Sequence, residues 1–224
     1  MFGGGAFQEM VQMIHEMEFN SIEHMLPKRI YSEQQLLLLK RITKLSGIKF
    51  INDPRQAYMN LGRQFLNVKG VYGVLNNDVK RSSFITMNEN PQSPYWWSVL
   101  FHELSHATGA LVFNRPTVLT PNRQKTLMQV AYEEMLAETS ANLIMRYFGL
   151  NTPETDLMNH SYVANNFNNA IAKGFPMDAD YAQGALMNEA KIVSDYIINN
   201  WLIDLDVKKE SRLIDSFFEF FKYF

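Results

Sequence analysis

The sequence predicts a mostly helical α+β fold, in which a small β-sheet precedes a helix carrying an H-E-x-x-H motif, His102-Glu103-Leu104-Ser105-His106. Three observations predict it. Apolar residues recur at three- and four-residue spacing through most of the chain, as in helices with one buried face. Three short apolar runs that suit strands lie between residues 48 and 87. Helical spacing then resumes, and strands placed between two blocks of helices read as α+β.

Residues 6–26 read as a helix, with Met10, Val11, Ile14, Met17, Ile22 and Met25 at roughly helical spacing. A second helix starts near Ser32, runs through Leu36-Leu37-Leu38-Leu39 to Leu45, and stops at Ser46-Gly47. Ile48-Lys49-Phe50-Ile51 reads as a strand, Asp53-Pro54 as a turn and 56–65 as a short helix. Strands follow at 70–75 and 83–87, with Asn76-Asn77-Asp78 as a hairpin turn. The motif helix takes Ser93 as N-cap, Pro94 in its first turn and Gly109 as its stop. A polar loop at 114–122 leads to a long helix over 123–148, ended by Gly149. Residues 151–156 form a connection, 159–173 a helix, Gly174-Phe175-Pro176 a break, and 178–201 another helix. An N-terminal helical region, 1–69, is expected to pack on a main domain, 70–224, as one compact unit.

With 224 residues, 46% of them hydrophobic, the chain can bury one substantial core. It has no Cys, so disulfides and thiolate metal sites are excluded, and any metal must be held by His and carboxylate. Two of the five histidines are already in the motif. The net charge of −2 is uneven, weakly basic up to Arg81 and acidic after it, and the one local basic cluster, Lys40, Arg41, Lys44 and Lys49, reads as a solvated helix face rather than a nucleic-acid footprint. No basic and apolar leader precedes the first helix, and no apolar run approaches the ~20 residues of a membrane span. A soluble, intracellular protein is the expectation. Leu213, Ile214, Phe217, Phe218, Phe220, Phe221 and Phe224 are too many apolar groups to leave in water. The chain's own core is their expected home, with a dimer or partner surface as the alternative.

On a helix, residues i and i+4 share a face, about 6 Å apart at Cβ. Two imidazoles so placed can bind one Zn²⁺, and the Glu after the first can deprotonate water at the metal. His102 and His106 are thus candidate ligands and Glu103 a candidate general base. A catalytic zinc needs a third protein ligand. Tyr132-Glu133-Glu134-Met135-Leu136-Ala137-Glu138 offers Glu134 and Glu138 on one helical face, with small Ala137 beside them to permit close approach. The assignment is Glu134 as ligand and Glu138 as hydrogen-bond partner of a ligating His. Glu138 as the ligand, read through Glu138-Thr139-Ser140-Ala141, is the alternative. Glu133 then faces solvent or pairs with a base in the 114–125 loop.

The run from Tyr95-Trp96-Trp97 through His102-Glu103-Leu104-Ser105-His106 to Ala107-Thr108-Gly109 resembles the zincin-like metallopeptidase domain of ArdC-type antirestriction proteins and phage polyvalent proteins. Glu133-Glu134-Met135-Leu136-Ala137-Glu138 is similar to that family's E-E-L-V-A-E segment, although the family's tyrosine falls on Val130 and Tyr132 comes two places late. His160-Ser161-Tyr162 is similar to an H-x-x-Y element, one residue shorter. The resemblance covers roughly residues 70–200.

It implies a zinc metallopeptidase acting on a protein or peptide, a host protein met in the bacterial cytoplasm, and association with a virion in some settings. The tetrahedral oxyanion requires a donor besides zinc, for which His160, Tyr162 and Arg115 are candidates in that order. His160 also reads as a plain helix-start residue. The strand Ser82–Met87 is a candidate to bind extended substrate by strand addition. The family's N-terminal DNA-binding domain is missing or reduced to the first 70 residues, so DNA is a weakly supported partner. A membrane partner is not expected. The alternative function is a non-catalytic zinc-containing protein that blocks a host defence enzyme or binds DNA. A general base at Glu103 argues for chemistry.

Overall fold

The computed structural model describes residues 4–22, 30–61, 68–74, 82–115, 127–172 and 179–202. The expected hairpin turn at 76–78 and the aromatic segment from Ser211 lie outside the described residues. Helix α1 spans Gly4–Ile22 and α2 Glu33–Ser46. Ser32 opens α2 with reciprocal capping: its Oγ accepts from Gln35 N at 3.1 Å, and Gln35 Oε1 accepts from Ser32 N at 2.9 Å. Gly47 closes it at φ 77°, the left-handed conformation that glycine adopts without a Cβ clash.

Strand β1 (Lys49–Phe50), helix α3 (Pro54–Leu61) and strands β2 (Gly70–Val74) and β3 (Ser83–Met87) follow. The sheet order is β1-β3-β2. β1 runs parallel to β3, with Lys49 opposite Phe84, and β2 runs antiparallel to it, with Gly70 opposite Met87 and Val74 opposite Ser83. β3 is therefore the central strand and every residue in it is buried. This corrects the expectation that Ser82–Met87 receives substrate by strand addition. Both edges of β3 are already paired, and a third strand cannot be added there.

Helix α4 spans Trp96–Leu111 and carries the motif. Its caps differ from those expected. Ser93 belongs to the preceding turn, where its Oγ accepts from Tyr95 N at 3.2 Å, and the N-cap position falls on Tyr95. The helix runs through Gly109, and the left-handed residue beyond it is Asn114, at φ 52°. A helical Gly costs about 1 kcal/mol relative to Ala, a penalty that burial of the surrounding helix readily offsets.

Helix α5 spans Leu127–Phe148 and ends at Gly149, φ 66°, with Leu150 N donating to Met145 O at 2.9 Å and Gly149 N to Arg146 O at 3.1 Å. Helix α6, Pro153–Ala172, starts earlier than its apolar spacing indicates. Thr152 and Thr155 cap it reciprocally, and Pro153 takes the first helical position. Helix α7 spans Ala179–Ile197 and runs into a π turn, Ile198–Leu202.

Every residue of α4 except His106 and Leu111 is buried. Trp96, Leu100, Phe101 and Leu104 pack among Leu38, Leu39 and Ile42 of α2, Tyr72, Ile85 and Met87 of the sheet, Ile144 and Phe148 of α5, and Val193 and Ile197 of α7. Residues on both sides of position 70 thus share one core and one sheet. A second cluster joins Phe19, Ala57 and Tyr58 to Phe84, while Met10, Met13, Ile14 and Met17 of α1 remain exposed. Among the described residues no helix is long and apolar enough to cross a membrane.

Candidate metal centre

Helical spacing brings His102 and His106 to one face of α4, with their Nε2 atoms 3.1 Å apart. Helix α5 packs against α4, and the small buried residues Ala137 and Ala141 suit a close approach. That approach delivers Glu134. Its Oε2 lies 3.3 Å from His102 Nε2 and its Oε1 3.5 Å from His106 Nε2. Ligands about 2.0–2.1 Å from a tetrahedral zinc lie about 3.3 Å from one another. The three side chains therefore fit a divalent cation, and all three are close to but not wholly sealed from solvent.

Glu138, one turn after Glu134, faces the other side of the first imidazole. Its Oε2 accepts from His102 Nδ1 at 2.8 Å. With Nδ1 directed to Glu138, Nε2 faces His106 and Glu134, and its lone pair becomes available to a cation once Nε2 gives up its proton. Of the two carboxylates weighed as third ligand, Glu134 lies with the histidine pair and Glu138 lies behind His102.

The electrostatics divide the carboxylates. Burial would raise the Glu134 carboxyl, but hydrogen bonds and charge from His102 and His106 dominate and hold it far below the usual range. Burial also opposes charge on His102. Its bonds to Glu134 and Glu138 and the charge of Glu103 outweigh that, and its pKa stands well above the ordinary imidazole value. Glu103 moves the other way from Glu134: burial raises it, against the pull of the two histidines and a hydrogen bond from the Tyr72 backbone N–H. Glu103 is 6% exposed and rests on β2. A Cβ at Gly70 would lie 2.9 Å from its Cγ and Oε1 and 2.7 Å from Val99 Cγ1, so any side chain at position 70 must displace Glu103 or Val99.

Tyr162 of α6 reaches the centre. Its hydroxyl donates to Glu134 Oε2 at 2.8 Å, and its ring meets His102 edge-on, with centroids 5.9 Å apart. Burial, then the Glu134 charge, raises the phenol pKa, so the hydroxyl keeps its proton. His160 does not join it. It is exposed and lines, with Met135, Val163 and Phe167, a cavity of about 470 Å³ between α5, α6 and α7. The reason is helical phase: residues two apart on a helix point about 200° apart, so Tyr162 and His160 cannot face one site. Arg115 is also elsewhere, bound through Nη2 to Glu189 Oε2 at 2.6 Å and lying over the Phe113 ring. Glu133 is half-buried, and its carboxylate and the Arg115 side chain both approach Gly109.

Two groups escaped the sequence reading. One is the β2 backbone under Glu103, for which Gly70, ahead of an apolar strand, was the available signal. The other is Asn159, a buried polar residue behind Glu138 whose signal is its place three residues before Tyr162. Compared with protein-family models, curated proteins and solved structures, the chain matches none of them.

Proposed function

We propose that the chain is a zinc-dependent metallopeptidase of the zincin type, with His102, His106 and Glu134 as metal ligands and Glu103 as general base. One observation carries this reading: two imidazole nitrogens 3.1 Å apart, each 3.3 to 3.5 Å from an oxygen of the Glu134 carboxylate, lie beside a buried carboxylate whose pKa is raised. The donor set of two imidazoles and one carboxylate, without thiolate, suits zinc. When bound, zinc supplies Lewis acidity and makes water a nucleophile near neutral pH.

The protein's own groups account for the rest. Glu103 accepts the water proton, and its raised pKa makes it a better acceptor than an ordinary glutamate. It returns that proton to the leaving amine. Tyr162, protonated and resting on Glu134, exchanges that hydrogen bond for one to the oxyanion as the carbonyl becomes tetrahedral. Glu138 keeps the His102 ring in the tautomer that presents Nε2. The likeness of residues 95–109 and 133–138 to antirestriction domains supports a host protein in a bacterial cell as the substrate, with a role in phage or plasmid establishment.

The test compares proteome fragments from bacterial cells expressing wild type or Glu103→Gln. Glu103→Gln should keep fold and zinc and lose about 10²–10⁴-fold in turnover, because only the proton transfer is removed. Wild-type-specific fragments are expected. Identical fragment patterns, with the variant still protecting incoming DNA, would transfer the function to binding.

A further inference from the structure

We infer that Asn159 is a positioning residue of the metal centre, acting through Glu138 on His102; this rests on the reading of the histidine pair as metal ligands. Glu138 is 5% exposed. A buried carboxylate has several acceptor positions to satisfy, and His102 Nδ1 takes only Oε2. The other oxygen, Oε1, faces the Asn159 side chain, itself 2% exposed. The neighbours fix the amide's orientation. With its nitrogen toward Glu138, Asn159 donates to Oε1 at 2.6 Å and to Thr155 O at 3.1 Å, and its oxygen accepts from Asn142 Nδ2 at 3.1 Å. The reverse orientation would set two oxygens against each other at the first of these distances.

The network extends in both directions. Ser98 Oγ lies 3.3 Å from the same amide nitrogen, and Ser98 sits one turn before His102 on α4. Asn142 gives its other hydrogen to Asp156 Oδ1, at 3.0 Å. Asn159 thus joins α4, α5 and α6 directly behind the metal site.

Its place on α6 also matters. Asn159 and Tyr162 are three residues apart and share a face, and their targets, Glu138 and Glu134, are four apart on α5. One helix therefore holds both acids. Tyr162 touches the carboxylate in front of His102, and Asn159 fixes the carboxylate behind it. Without Asn159, Glu138 keeps a single partner and can rotate away from Nδ1, and the His102 ring loses its fixed tautomer.

The test is a double-mutant cycle on zinc affinity of the full chain, by competition with a chelator, using Asn159→Leu and Glu138→Ala. Asn159→Leu should weaken zinc by roughly 10-fold, the low end of the range for groups behind metal ligands. In the Glu138→Ala background it should cost nothing further, because its route to the metal is gone. A merely structural residue would lower the melting temperature and leave the zinc affinity of the folded protein unchanged. Asn159→Ser is run in parallel, and the cycle is read on the variant that keeps the wild-type circular dichroism. Wild-type affinity in the Asn159 variant, or an equal loss in both backgrounds, overturns the inference. If wild type itself takes no zinc, the ligand assignment fails and this inference fails with it.

Discussion

The two sides of the His102–His106 pair are held in different ways. On the sheet side, backbone does the holding. Glu103 lies against β2, where Gly70 has no Cβ to displace it and the Tyr72 N–H donates to its carboxylate. On the helix side, side chains hold side chains. Glu134 and Glu138 of α5 are each engaged by a residue of α6. The pKa shifts follow the same division, upward for Glu103 and downward for Glu134. Handling a proton and holding a cation have opposing electrostatic requirements, and here separate elements meet them. The two capacities should therefore fail separately.

Variants on the helix side should lose metal first. Glu134→Ala removes a donor atom, and zinc affinity should fall beyond the ~100-fold upper end seen for groups behind ligands. Glu138→Ala should weaken zinc less, by roughly 10- to 100-fold, because it only frees the His102 ring. Chelator competition ranks the two, and the reverse ranking would make Glu138 the direct ligand. A smaller effect should come from the sheet side and land on a different quantity. A methyl group at Gly70 must push Glu103 or Val99 aside, so Gly70→Ala should lower turnover by about 10-fold, a displaced base being one modest part of general-base catalysis, while zinc content holds. Loss of zinc in Gly70→Ala would merge the two sides and remove the distinction between them.

What could be read from the sequence was local. Ser32 and Gly47 bound α2, Gly149 ends α5, and the four-residue spacing of the motif and of Glu134 with Glu138 placed those groups on shared faces. What escaped depended on distant partners or on helical phase. That β3 is central rather than an edge follows from β1, far upstream, pairing along its other side. His160 was placed at a helix start, where angular constraint is weak. The helix in fact begins at Pro153, and by position 160 the hundred-degree step per residue is fully in force. The same step turns Asn159, not His160, toward Glu138. Gly109 and Ser93 looked like ends of α4 by residue type, but the apolar surroundings carry the helix past the first, and the second serves the turn before it.

The most direct measurement is the zinc content of protein purified without added metal, by elemental analysis of wild type, Glu103→Gln and His106→Ala. Near one zinc per chain is expected in wild type and in Glu103→Gln, since the base is not a ligand, and His106→Ala should lose it. Full retention of zinc by His106→Ala, or a wild type that carries none, would contradict the metal centre on which everything else depends.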